Sequence, residues 1–391
     1  MARKVVIDTD FGTDADDAIA VALAMASEEI AVQAFTVVGR QSIYRKRMLE
    51  DFLAALGGDC EAPPVYAGWD APPPVPYGFS LSAPSDPPPA SFPGTTFGNY
   101  AMRLGSAYQF NWFGDEGTLD PNSPTHAAPA VEASPFAPPP LTSSPQPAPA
   151  TPAGYATFEA GPQLAQLLSN PDVDFVGLGP LTNLYQALTN PSIARGTLNV
   201  QQLTVMGVHL APTPYSSGFI SEAVDYNLAS DIVSALYVLN EVAKPNLTPP
   251  SPTMIQSARW VTADVTLRTW FNQSQLDSLA SCKHPFMQQL VKMINAWTPI
   301  QTNLFRPKTP VDNVAFLHDP LALACSFDDS WCNFESFELE LVLTNNLGLR
   351  WIQREPALPG TINLTCATSV NEQEGQTFQD WLVQRLLKRF S

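Results

Sequence analysis

Basic side chains are scarce in this chain: 20 Lys and Arg stand against 37 Asp and Glu, a formal net charge of −17 over 391 residues. A surface so acidic repels polyanions, which argues against DNA or RNA as a partner. Cysteine is sparse too. The five residues Cys60, Cys282, Cys325, Cys332 and Cys366 are odd in number and widely spread. They lack the paired spacing of a zinc site and the density of a disulfide framework, so they read as buried free thiols. No apolar run is long enough to span a bilayer, and Met1-Ala2-Arg3-Lys4 enters strand-like sequence with no apolar signal core. These absences predict a soluble, cytoplasmic protein with no membrane partner, in which the sequons at Asn246, Asn272 and Asn363 are chance matches. Two common catalytic signatures are also missing: no Gly-rich loop ends in Gly-Lys-Ser or Gly-Lys-Thr, and there is no Gly-x-Ser-x-Gly elbow.

Proline, by contrast, is abundant, at 39 residues, but the excess is local. Segments 71–93 and 121–153 are Pro-rich, the second built mainly from Pro, Ala, Ser and Thr. Such a composition buries too little apolar surface to offset its ordering entropy. The two tracts therefore read as loop insertions within one domain spanning 1–391 rather than as linkers between two. With 45% hydrophobic residues, the remainder is ample for a large core.

Five carboxylates, Asp8, Asp10, Asp14, Asp16 and Asp17, fall within ten positions directly after the apolar Val5-Val6-Ile7. Charges so crowded beside a buried strand require protonation or a neutralising cation. Oxygen-only ligands suit calcium or magnesium. The local pattern is a strand over 5–7, a tight turn at Gly12 and an Ala-rich helix over 18–26. Asp10 then lies at the strand's carboxyl end and Asp16 and Asp17 open the helix, where the macrodipole favours anions and open α/β sheets place their ligands.

The same β-α rhythm continues. Strands are predicted over 30–39, 65–68, 173–178 and 203–207, and helices over 44–56, 158–168, 184–188 and 230–242, with alternation to about Asn246. A helix over 286–297, a late hairpin from 337–343 and 349–353, and an amphipathic helix over 378–390 complete the pattern. The fold class is α/β, with a mostly parallel sheet flanked by helices.

Four segments, in order, resemble the inosine-uridine-preferring nucleoside hydrolases. They are the aspartate run 8–18, the turn Gly179-Pro180-Leu181-Thr182-Asn183, Asp225-Tyr226-Asn227 in place of the family's Glu-Phe-Asn, and Ala315-Phe316-Leu317-His318-Asp319-Pro320. The resemblance implies a single Rossmann-like domain, a bound Ca2+, hydrolysis of a small-molecule ribonucleoside to ribose and free base, and a homodimer or homotetramer. It further implies that Asp10, Asp17, Asp319 and the Leu178 carbonyl bind the metal and that Asp10 serves as the base. Asp16, Asp225 and Asn227 match sugar-binding positions, and His318 matches the histidine near the leaving base. Asp8, two residues before Asp10 on a strand, supports the site from behind, and Asn183 reads as a structural helix opener.

Some residues depart from that pattern. Phe11 replaces the usual Pro, Asp14-Ala15 lengthens the loop, and Phe113 stands where a His-Gly segment normally begins. Arg40 replaces a sugar-contacting Asn, and its forked cation suits a phosphorylated or otherwise modified ribosyl compound. The alternative implied by these departures is a non-catalytic ribosyl-binding relative. Trp69, Trp112, Tyr215, Phe219 and Trp260 fall in segments able to wall a base pocket.

Overall fold

The computed structural model describes residues 2–12, 14–39, 42–59, 61–68, 159–190, 198–210, 227–228, 231–244, 253–304, 310–343, 349–354 and 361–391. The first half alternates strand and helix: β1 (Arg3–Thr9), α1 (Asp16–Met25), β2 (Ile30–Val37), α2 (Ser42–Ala54), β3 (Val65–Ala67), α3 (Ala160–Leu167), β4 (Val173–Gly177), α4 (Thr182–Leu188), β5 (Leu203–Met206) and α5 (Ile232–Ala243). Then follow β6 (Ala258–Val261), α6 (Ala263–Thr266), β7 (Trp270–Asn272), α7 (Gln273–Ser281), α8 (Pro285–Leu304), β8 (Asn313–Phe316), α9 (His318–Phe327), β9 (Cys332–Leu343), β10 (Leu349–Gln353), β11 (Ile362–Val370) and α10 (Phe378–Phe390).

Nine strands form one sheet in the order β10-β9-β11-β6-β5-β4-β1-β2-β3. From β3 across to β11 every pairing is parallel, and the antiparallel additions, β9 on β11 and β10 on β9, close the far edge. The chain runs outward from β1 through β2 to β3, then returns to the other side of β1 with β4. The strand order thus reverses between β1 and β4, and the space beyond their carboxyl ends is the usual ligand position of an open α/β sheet.

Alternation along β1 divides the core. Val5 and Ile7 pack with α1, α2, α8, α9 and α10 on one face, whereas Val6 packs with α3, α4 and α5 on the other. Both faces are covered, which explains the unbroken apolar character of the parallel strands. Helix α1 is buried along almost its whole length and packs directly on α9. The backbone N–H of Glu159 donates to the Ala67 carbonyl at 3.0 Å, so the residue that precedes α3 is fastened to β3.

The hairpin read from 337–343 and 349–353 forms as β9 and β10. Parallel order outlasts Asn246, however, because β6 and then β11 join after it. Trp260 is a correction: its side chain is fully buried in the α3-α4-α5 core and walls no pocket. Cys282, Cys325, Cys332 and Cys366 are buried free thiols as expected, and Cys60 lies outside the described residues.

Candidate active site

The acidic loop begins where β1 ends. Gly12 takes φ 98°, a left-handed turn that redirects the chain toward α1. Asp16 and Asp17 occupy the first turn of α1, and Asp319 the first turn of α9. Because α1 packs on α9, the two helix N-termini meet, and their unpaired N–H groups face the same carboxylates. The Asp319 N–H donates to Asp16 Oδ2 at 3.3 Å, and the Asp17 N–H to Asp16 Oδ1 at 3.1 Å. The Thr9 hydroxyl donates to Asp17 Oδ1. Asp10, Asp16, Asp17 and Asp319 are all buried.

Among the described residues, Asp14, Asp16 and Asp17 form a trio whose carboxylate oxygens lie within 4.8 Å of one another. Burial raises the pKa of Asp14, Asp17 and Asp319 well above the ordinary carboxylate range, and the charges of neighbouring aspartates add to the shift. Without a cation those carboxylates are thus harder to ionise than exposed ones. An oxygen-only, largely buried, mutually repelling donor set fits a hard divalent metal, whose charge would favour the ionised carboxylates.

Behind this cluster Asp8 accepts hydrogen bonds at Oδ1 from Thr36 Oγ1, 2.6 Å away, and from Asn183 Nδ2, 2.8 Å away, while its buried Oδ2 has no hydrogen-bond partner among the described residues. Desolvation outweighs those two bonds and raises its pKa to about 7. Arg45, on α2, is buried against the same loop. Its Nη1 donates to the Asp10 carbonyl and, at 3.0 Å, to the Phe11 carbonyl. Its permanent charge lowers the Asp17 pKa, opposing the larger effect of burial.

Asn227 Nδ2 donates to the Leu178 carbonyl at 2.8 Å and to the Met206 carbonyl at 3.2 Å, tying together the carboxyl ends of β4 and β5. Gly179 must lack a side chain: a Cβ there would lie 2.9 Å from Asp10 Oδ1 and 3.0 Å from Asp10 N. His318 Nδ1 is 2.6 Å from Thr266 Oγ1, and its ring is 5.2 Å from that of Phe316. Burial lowers the His318 pKa, partly offset by the Asp16 charge. The fully buried His209 places Nε2 3.4 Å from Asp264 Oδ1, while Asp264 Oδ2 accepts the Leu210 N–H at 2.6 Å. Val208, just before it, has φ 71°, a strained value for a β-branched residue.

The family model described as inosine-uridine preferring nucleoside hydrolase matches residues 5–385. The chain belongs to this family. It is accordingly a nucleoside hydrolase, a glycosidase of the N-ribosidic bond that acts on small-molecule ribonucleosides. Its fold is also that of solved structures at low sequence identity. A plant nucleoside hydrolase is 19% identical with a TM-score of 0.59, covering 100% of this chain and 99% of its own. A purine-preferring ribonucleoside hydrolase from Gardnerella vaginalis is 17% identical with a TM-score of 0.59, covering 99% and 98%. An inosine-guanosine nucleoside hydrolase is 18% identical with a TM-score of 0.62, again covering 99% and 98%. No curated protein sequence matches the chain significantly.

In this nucleoside hydrolase the sequence-predicted Asp10, Asp16, Asp17, Leu178, Asn227, His318 and Asp319 all lie on loops and helix starts around the carboxyl ends of the strands. Arg40, Asp225 and Phe113 lie outside the described residues, as do Trp69, Trp112, Tyr215 and Phe219. Sequence reasoning passed over Asp14 as a ligand candidate, although it lies in the same acidic run. Arg45, Thr266, His209 and Asp264 carried no local signal. A lone Arg on a helix reads as a solvated charge, and the Thr266 to His318 contact joins residues 52 apart. No described helix is long and apolar enough to cross a membrane.

Proposed function

We propose that this hydrolase is calcium-dependent, with Asp10, Asp17, Asp319 and the Leu178 carbonyl as the residues that hold the ion. When bound, calcium would fix the sugar diol and the attacking water and lower that water's pKa. Asp10 then accepts the water's proton. Breaking the ribosidic bond builds positive charge on the sugar, and the buried carboxylates stabilise it. Asp16 accepts from a ribose hydroxyl: each of its oxygens takes one backbone N–H and retains a second lone pair. Asn227 has its amide nitrogen committed to Leu178 and Met206, so a sugar hydroxyl falls to its Oδ1. Asp225 supplies a further sugar contact, Arg40 favours an anionic ribosyl substrate, and His318 faces the leaving base. The reading extends to a cytoplasmic homodimer or homotetramer.

The observation that best supports this reading is the contact of the Asp319 N–H with Asp16 Oδ2, which brings carboxylates from residues 303 apart into one oxygen-rich cradle. The test is a product-resolved screen of inosine, uridine, adenosine, guanosine and their 5′-monophosphates, with Ca2+ or with a chelator. Free base is expected with Ca2+, with a loss on chelation of about a hundredfold or more, several kcal/mol of transition-state stabilisation. Undiminished release after complete metal removal refutes the calcium assignment. Ribosyl binding without any base release favours the non-catalytic alternative.

A further inference from the structure

The hydroxyl of Thr266 has one proton and two acceptors within reach: His318 Nδ1 at 2.6 Å and the Ala263 carbonyl, three residues back, at 3.4 Å. Hydrogen-bond energy falls off steeply over that difference, so the proton belongs to the shorter contact. Were Nδ1 protonated instead, the Thr266 proton would be left with the long contact to Ala263. With Nδ1 accepting, the single proton of the neutral imidazole resides on Nε2.

We infer that Thr266 is a positioning residue that locks His318 in the Nε2–H tautomer, so that the ring meets the leaving base as a neutral hydrogen-bond donor. This deepens the hydrolase reading above and rests on its placement of His318 beside the base. As the electron pair of the N-ribosidic bond passes to the base, negative charge gathers on the base and the Nε2–H bond to it strengthens. The imidazole keeps its proton throughout; the base takes a proton from solvent water, and the hydroxide left behind is neutralised by the proton that Asp10 took from the attacking water.

The surroundings hold this geometry in place. Thr266 and Thr269 are both buried. The Thr266 carbonyl accepts the Thr269 N–H at 3.0 Å and the Thr269 hydroxyl at 2.8 Å. The Thr269 carbonyl in turn accepts the N–H of Leu317, the residue before His318, at 3.0 Å. The backbone entering α9 and the ring of its first residue are therefore tied to the same four-residue segment. Phe316 flanks the ring, which limits its rotation. At the other end of α6 the Ala263 N–H donates to the Val208 carbonyl at 2.9 Å, which anchors the helix to the loop carrying His209.

The tautomer can be read directly by long-range proton–nitrogen NMR on protein labelled with ¹⁵N-histidine. The chain has only 4 histidines, and the His318→Gln variant assigns the signal. The expected result is Nε2–H in the wild type and in Thr266→Ser, and a tautomer mixture in the near-isosteric Thr266→Val. Steady-state kinetics should show kcat reduced about tenfold or more in Thr266→Val with KM changed by less than about threefold, and restored by Ser, as for an interaction made mainly in the transition state. An Nδ1–H signal in the wild type overturns the inference, as does a Thr266→Val enzyme with wild-type kcat. If Thr266→Val fails to fold, the wild-type spectrum decides alone. If the wild type releases no base from any nucleoside, the hydrolase reading fails while the tautomer measurement still judges Thr266.

Discussion

Asp8 and Thr36 lie opposite one another on parallel strands, and the price of burying Asp8 there is a carboxyl group whose pKa rises to about 7. The folded state thus binds more protons than the unfolded chain between about pH 4 and pH 7, so Asp8 makes stability fall as pH rises through that window. Asp14, Asp17 and Asp319, also raised, act in the same direction. A bound divalent cation reverses their effect, because ligands must be ionised to hold it. The melting temperature of the metal-free protein is therefore expected to rise from about pH 8 to about pH 5.5. With saturating Ca2+ the dependence should flatten or invert, and Ca2+ affinity should weaken as pH falls. Calorimetric scans with chelator and with Ca2+ across that range check this, and a metal-free protein that loses stability on acidification contradicts it. At this scale Asp10, Asp16 and Asp17 were legible because their spacing is local. Arg45 was not: its value lies in reaching the carbonyls of Asp10 and Phe11, 35 and 34 residues away, and nothing within α2 announces that.

Two elements, α1 and α9, pack directly on one another with their first turns in contact, and this convergence brings two separate acidic motifs together. The turn after β4 must also come close, and Gly179 is what permits it. Gly179→Ala would drive a methyl group against Val38 Cγ1, Asp10 Oδ1 and the Asp10 backbone N, the last of which cannot move without shifting the loop. The variant is expected to lose about 1–3 kcal/mol of stability, the usual cost of overpacking, and to bind Ca2+ more weakly. Denaturant melts and calcium calorimetry measure both, and an unchanged Ca2+ affinity would show that Asp10 tolerates displacement. Elements with strong local periodicity, such as α10, were read to the residue. The short strand β6 was missed because four residues carry too little pattern. Its partner β11 was missed for another reason: it is long, but its position between β6 and β9 is fixed only by pairing with strands remote in sequence.

For the whole molecule, the reversal of strand order between β1 and β4 decides where chemistry can occur, since the acidic loop and the Leu178–Gly179 turn both emerge there. This was legible in outline, from the β-α rhythm and the motifs at strand ends. The strand order was not, since it depends on which strands pair. The Pro-rich tract 121–153 lies between Gly68, which follows β3, and Glu159, which is bonded to it. Replacing the tract with a short Gly-Ser joint is expected to change the melting temperature by no more than a few degrees, because the entropy of closing a loop grows only slowly with its length. Thermal scans of the shortened protein check this, and a loss of cooperative melting would show that the tract belongs to the core. The bond from Glu159 to Ala67 fastens the start of α3 to the strand that Gly68 follows, so the last residue described before the tract and the first described after it are neighbours. The register of β1 against β2 and β4 is held by strand-to-strand pairing alone, so the scaffold that carries the aspartates is closed by that junction whatever number of residues the chain spends between its two ends.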